Sequence, residues 1–188
     1  MDINTTGAEP SGAAPRHSLA DFTADRRLWM LAAMAVVVGT GGAAAAWLLL
    51  KLIALVTNLV WFGRLDVVSR SLANARPGPW MVAAPMLGGL AIGLMARFGS
   101  EKIRGHGIPE AIEAILIGGS RMSPKVAVLK PISSAISIGT GGPFGAEGPI
   151  IMTGGAIGSL FAQRFHLTAA ERKTLLGAGA AAGMTAIF

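Results

Sequence analysis

Apolar and polar positions separate into long blocks along this chain, with no alternation of period two. From Leu28 to Leu50 no residue is charged, a run of 23, longer than the ~20 residues that carry a helix across a bilayer. The run predicts a spanning helix. A secretory leader is the competing reading, but its apolar region would be only ~7–15 residues and would end at a small-residue cleavage site. The apolar character continues past Lys51 to Phe62, broken by Thr57 and Asn58. As one helix Leu28 to Phe62 would be roughly 52 Å long, against ~30 Å of hydrocarbon. It is therefore expected to tilt strongly or to break near Gly39 to Gly42. Lys51 can extend its stem to an interface or a water-filled crevice.

A polar connector from Gly63 to Gly78 carries Arg64, Asp66, Arg70 and Arg76. The next block, Pro79 to Phe98, is long enough to span once, and its Gly89 and Gly93 suggest a small-residue face for close helix contact. After Gly105 the blocks shorten. Ile108 to Ile117 is interrupted by Glu110 and Glu113, and Ser123 to Ile138 contains Lys125, Lys130 and Pro131. A Gly/Pro-rich stretch from Gly139 to Pro149 leads into Ile150 to Phe165, and a small-residue block runs from Ala169 to Phe188. Short hydrophobic segments interrupted by Gly and Pro point to broken helices that build a site at mid-membrane. Such backbone is tolerated there only inside protein or along a cavity. The fold class expected is an all-α integral membrane protein with tilted and broken helices.

Composition agrees. Of 188 residues 52% are hydrophobic, 14% are charged and 26 are glycine, against about 25% charged and ~7% Gly in soluble domains. Residues 1–26, rich in Ala, Gly, Ser, Thr and Pro, read as a disordered cytoplasmic tail, and 27–188 as the membrane unit. Arg16, Arg26, Arg27, Arg97, Lys102 and Arg104 outweigh Arg64, Arg70 and Arg76 of the first connector, which places the N-terminus inside the cell. The net charge of +6 fits that bias better than nucleic-acid binding, because no basic cluster is interleaved with aromatics. The absence of cysteine excludes disulfides and thiolate metal sites. No Walker-type or GxGxxG loop occurs, His17 and His166 lack neighbouring ligand types, and no nucleophile–base pair supports an enzyme.

Two segments share a grammar of glycines followed by proline at a helix start: Gly105-His-Gly-Ile-Pro-Glu110 and Gly145-Ala-Glu-Gly-Pro149. Proline suits a first helical turn, and glycines let backbone amides approach a ligand. Helix starts carry free N–H groups and the positive end of the dipole. Two of them aimed at one spot would hold an anion. The pairs Gly154/Gly158 and Gly179/Gly183 read as packing faces.

These motifs carry a resemblance. Gly105-His-Gly-Ile-Pro resembles the G-S-G-I-P motif of the CLC family of chloride channels and proton/anion exchangers. Gly145-Ala-Glu-Gly-Pro resembles its G-R/K-E-G-P motif, and Gly177 to Phe188 is similar to its following small-residue helix. The resemblance spans about Arg27 to Phe188. It implies the first half of an inverted-repeat, homodimeric anion transporter in the cell membrane, with chloride or another halide as the transported ion. Glu147 becomes the gating glutamate, and His106, Gly107, Ile108, Gly145, Ala146 and Gly148 line the anion site. Lys130, 17 residues before Glu147, matches a basic residue buried near the pore. Its alternative is an interfacial lysine reaching headgroups. For Glu147 the alternative is a surface glutamate satisfying the helix dipole. For His106 it is a turn residue outside the pore. Glu110 and Glu113 are expected to cap or solvate the start of their helix.

The chain departs from the family pattern at His106, commonly serine, and at Ala146, usually basic. A fluoride-exporting branch also departs from serine at the first of these positions, so chloride is not the sole substrate implied. The lower positive charge at Ala146 implies weaker attraction of anions there. The lack of tyrosine and of a second repeat reads as a partial sequence, and leaves channel and proton-coupled antiporter open. A non-transporting membrane subunit, dimerising through its GxxxG faces, is the reading from another class.

Overall fold

The structure, a computed structural model, describes residues 26–75, 78–100, 103–104, 108–117 and 119–188. The tail, and with it His106 and Gly107, lies outside the described residues. Six α-helices follow one another: α1 (Arg26–Phe62), α2 (Trp80–Phe98), α3 (Ile108–Leu116), α4 (Pro124–Gly139), α5 (Glu147–Arg164) and α6 (Ala169–Thr185). A short 3-10 turn, Leu72–Asn74, precedes α2. No strand occurs among the described residues.

The first helix takes the unbroken one of the two alternatives expected for it. It is continuous over 37 residues, straight through Gly39 to Gly42. Those glycines admit neighbours instead of breaking the helix: a Cβ on Gly42 would lie 2.7 Å from the carbonyl oxygen of Gly179 in α6. Two helices are long and apolar enough to cross a membrane, Arg27–Phe62 and Trp80–Phe98. At 1.5 Å per residue the first reaches roughly 54 Å, so it crosses ~30 Å of hydrocarbon only by tilting, by extending past it, or both.

α5 is the central element, buried over most of Gly148 to Ser159 and packed against α1, α3, α4 and α6. Its stripe of glycines allows this. A Cβ on Gly154 would run into the Gly179 carbonyl, one on Gly179 into the Gly154 carbonyl, and one on Gly158 into the Leu175 carbonyl. The GxxxG pairs are therefore spent within this chain, joining α5 to α6. The dimerising role considered for them does not hold. Gly89 and Gly93, read as a small-residue face, have no described partner: no described atom stands within 4 Å of a Cβ built on either. The close contact of α2 belongs to Gly88, which lies against Thr140.

Polar side chains tie the turns to this apolar frame. Asn58, fully buried, donates to the carbonyls of Asp66 (2.7 Å) and Val68 (2.8 Å), folding the first connector back on α1. In that connector the Val68 amide donates to Asp66, chiefly holding its carboxyl below the usual value, and Arg70 adds an ion pair at 3.3 Å. At the other end Thr168 and Glu171 form a reciprocal cap on α6, and Glu171 pairs with Arg27 at 3.3 Å. The start of α1 is thus beside the start of α6.

Ser159, fully buried in α5, accepts from the Met122 amide (2.9 Å) and donates to the Ser120 carbonyl (2.7 Å), clasping the α3–α4 turn. Ser120 holds a positive φ of 58°, a conformation uncommon outside glycine. Replacing Ser159 by alanine strands a buried donor and a buried acceptor at once, so a loss of about 1–3 kcal/mol is expected. Chemical unfolding in detergent measures it, and a midpoint equal to the parent's would remove the clasp.

Candidate functional site

The start of α5, the approach to α3 and one side of α4 border an open cleft of about 360 Å³. One wall is the entry to α5. Gly141, with φ +94°, turns the chain out of α4, and the Phe144 amide closes a tight turn onto the Gly142 carbonyl at 2.8 Å. The helix then begins at Glu147, two residues earlier than the position of Pro149 suggests, so proline is third in the helix and not first. Its ring removes one of the amides that a first helical turn leaves unpaired. Those of Glu147 and Gly148 remain without intrahelical partners. Ala146 is the N-cap and supplies no side-chain bond, so no hydroxyl or carboxylate from that position competes for them. Phe144, Gly145 and Pro149 line the cleft.

The opposite wall is the approach to α3. Ile103 and Arg104 line the cleft, and Lys130 of α4 holds them from behind. Its ammonium donates to the Ile103 carbonyl at 3.1 Å and the Arg104 carbonyl at 3.4 Å, and lies 3.9 Å from a Glu110 carboxylate oxygen. At 2% exposure Lys130 is a buried clamp, and the reading of an interfacial lysine reaching headgroups falls. Glu110, in the first turn of α3 as expected, also pairs across to α4.

Along α4 the cleft is lined by Ser133, Ser134, Ser137 and Ile138, and along α2 by Gly89 and Ile92. The serines were missed in the sequence, although Ser133 and Ser137 stand four apart and share a helix face. Ser133 spends its proton on the Lys130 carbonyl at 3.0 Å, leaving hydroxyl lone pairs toward neighbouring donors.

The residues singled out from sequence divide accordingly. Gly145 borders the cleft directly. Gly148 is buried, and Ala146 packs into an apolar cluster with Leu49, Ala135 and Ile150. Ile108 is 42% exposed. Glu147 is exposed as the first residue of α5, and no described residue bonds or pairs with its carboxylate. α3 and α5 pack against each other, and Ala111, Ala114, Ile151, Met152 and Ala156 join one apolar cluster just past the two helix starts. The amide end of α5 and the α4 hydroxyls are groups that can hold a small anion, and Glu147 is not among the described residues that line the cleft.

Comparison with known proteins points the same way. A family profile described as voltage gated chloride channel matches residues 88–188. A ClcB-like chloride channel protein of Ralstonia nicotianae is 30% identical over 123 residues, covering 62% of this chain and 29% of that protein. Voltage-gated ClC-type chloride channels named ClcB are 31% identical over 137 residues in Yersinia pestis and 35% over 126 residues in one Escherichia coli strain. These matches cover 70% and 64% of this chain, and 32% and 29% of the relatives. The matched segments thus amount to about three-tenths of the length of these curated relatives. No solved structure matches the chain.

Proposed function

This chain belongs to the voltage gated chloride channel family, and on that premise we propose that it contributes one half of an anion pathway through a membrane, with chloride as the transported ion. The observation that carries the reading is the shared cleft: the approach to α3 and the first turn of α5 border one space, with hydroxyls of α4 between them. The amide end of α5 favours an anion there, with Arg104 as the one cationic side chain among the described lining residues. A second, inverted half and a homodimeric assembly would complete the pathway, and α1 would enter from the cytoplasm. Arg27, Arg121 and Arg172 gather where α1 and α6 start, in support of that orientation.

Glu147 is the gate in this proposal. Ionised, its carboxylate competes with the transported anion for the amides of its own first turn; protonated, it releases them. The exposed, untethered state of the side chain supports such a movement, and Gly145 beside it leaves open space, with no described atom within 4 Å of a Cβ position there. His106 and Gly107 join the site by family pattern.

The test is Glu147→Gln in the full-length transporter, reconstituted in liposomes. Glutamine keeps the shape of the protonated acid and removes the titration, so anion flux is expected to lose its dependence on external pH. Unchanged flux together with an unchanged pH profile would remove Glu147 from the path. Running chloride and fluoride side by side identifies the anion, and a proton flux coupled to it separates antiporter from channel.

A further inference from the structure

A second cleft, of about 520 Å³, opens between the α3–α4 turn and the α5–α6 turn. It belongs to neither the anion pathway nor the GxxxG contacts. Arg121, Gln163, His166, Thr168 and Arg172 supply its polar lining, and Phe165 stands at its edge. Arg172 is anchored: one guanidinium nitrogen donates to the Leu167 carbonyl at 2.8 Å and another to the Gly119 carbonyl at 3.4 Å. Two of its five N–H groups at the least are so occupied, and the rest remain for a ligand. Arg121 and His166 are exposed and hold no hydrogen bond or ion pair with a described residue. Among the described residues, Glu171 beside Arg172 is buried and spends its charge on the Thr168 amide at 2.7 Å and on Arg27, not on the cleft.

Its height in the molecule identifies the ligand. The Arg27–Glu171 pair sets the starts of α1 and α6 side by side, and α1 becomes a membrane span from Arg27 onward. The cleft therefore opens at the level where a bilayer's headgroups begin. Trp29 at 80% and Phe165 at 43% exposure present aromatic surface at this end of the molecule, the depth at which aromatic rings favour the interface. A phosphate-sized anion carrying an acyl tail fits this pairing of two guanidiniums with an adjoining apolar rim.

We propose that this cleft binds the phosphate of an anionic phospholipid from the leaflet facing the start of α1. The proposal needs the chain to lie in a membrane and does not depend on which ion passes the pathway.

Native mass spectrometry of the chain, extracted from bilayers of equal parts phosphatidylcholine and phosphatidylglycerol, reads the bound lipid. Phosphatidylglycerol is expected to be retained over phosphatidylcholine. The double variant Arg121→Gln/His166→Gln should lower that retention by about fivefold or more, the worth of one lost cation near an anionic surface. Arg64→Gln, in the connector at the opposite end, should leave it unchanged. Inorganic phosphate added in excess should not displace the lipid. Equal retention of both lipids, an equal loss in the Arg64 variant, full retention in the double variant, or displacement by inorganic phosphate would each overturn the assignment, the last in favour of a soluble phosphate ligand.

Discussion

Replacing Gly154 by alanine is expected to destabilise the protein by up to about 2 kcal/mol, although alanine is the better helix former. Propensity alone favours the change by about 1 kcal/mol at a helix interior. Against it, the new methyl group would be driven into the Gly179 carbonyl, with its carbon 2.9 Å away and the Cα of Ala180 at 3.4 Å. Every one of those atoms is backbone, so relief requires moving α6 as a body and not rotating a side chain. α6 is held in turn by α1, where Gly42 faces the same Gly179 carbonyl at 2.7 Å from its Cβ position. Overpacking that cannot relax costs about 1–3 kcal/mol, and here it also has to outweigh the propensity gain. Gly93→Ala is the matched control. With no described atom within 4 Å, it should leave stability unchanged or raise it. Unfolding in detergent, followed by circular dichroism, distinguishes the two signs. Equal effects at Gly154 and Gly93 would show that the α5–α6 contact is looser than its geometry.

Lys130→Met is expected to cost about 2–4 kcal/mol. Methionine keeps the length and the apolar stem, so the loss isolates the ammonium. Two carbonyls, of Ile103 and Arg104, then lose a donor, and the Glu110 carboxylate loses its counter-charge. Breaking a fully buried pair costs about 3–5 kcal/mol. Glu110 keeps 27% of its side chain in contact with solvent, which lowers the figure. Adding Glu110→Gln to Lys130→Met should recover part of the loss, because the stranded charge is gone. That coupling is what a double-mutant cycle reads, and strictly additive losses would mean the two side chains do not sense each other. The same substitution tests the site. Ile103 and Arg104 border the cleft, so freeing them should change anion flux in the full-length transporter even where the protein still folds.

Much of this architecture is legible in the chain. The uncharged run from Leu28 and the block from Pro79 announce α1 and α2, because a bilayer demands length and the absence of charge, both one-dimensional properties. The Gly/Pro segments before α3 and α5 mark helix starts because proline and glycine act on their own backbone. The Thr168-x-x-Glu171 pattern signals the α6 cap in the same local way. The continuity of α1 was not legible: whether Gly39 to Gly42 bend a helix or receive a neighbour depends on where Gly179 and Ala182 lie. The same holds for Gly89 and Gly93, which match the small-residue pattern but find no described partner, while Gly154 and Gly158 use it fully.

Composition and order along the chain thus established a membrane-embedded helical protein with two glycine–proline helix starts and a single glutamate at the second. Those conclusions rest on forces that act within one helical turn or on the solvent a segment requires. Three-dimensional packing settled the rest: that Lys130 is a clamp and not an interfacial anchor, that Glu110 answers it across two helices, that serines of α4 line the cleft, and that Ser159 holds a turn some forty residues earlier in the chain. Each of these depends on distances between segments far apart in sequence, where burial makes a missing partner costly. A pattern confined to neighbouring residues carries no trace of it.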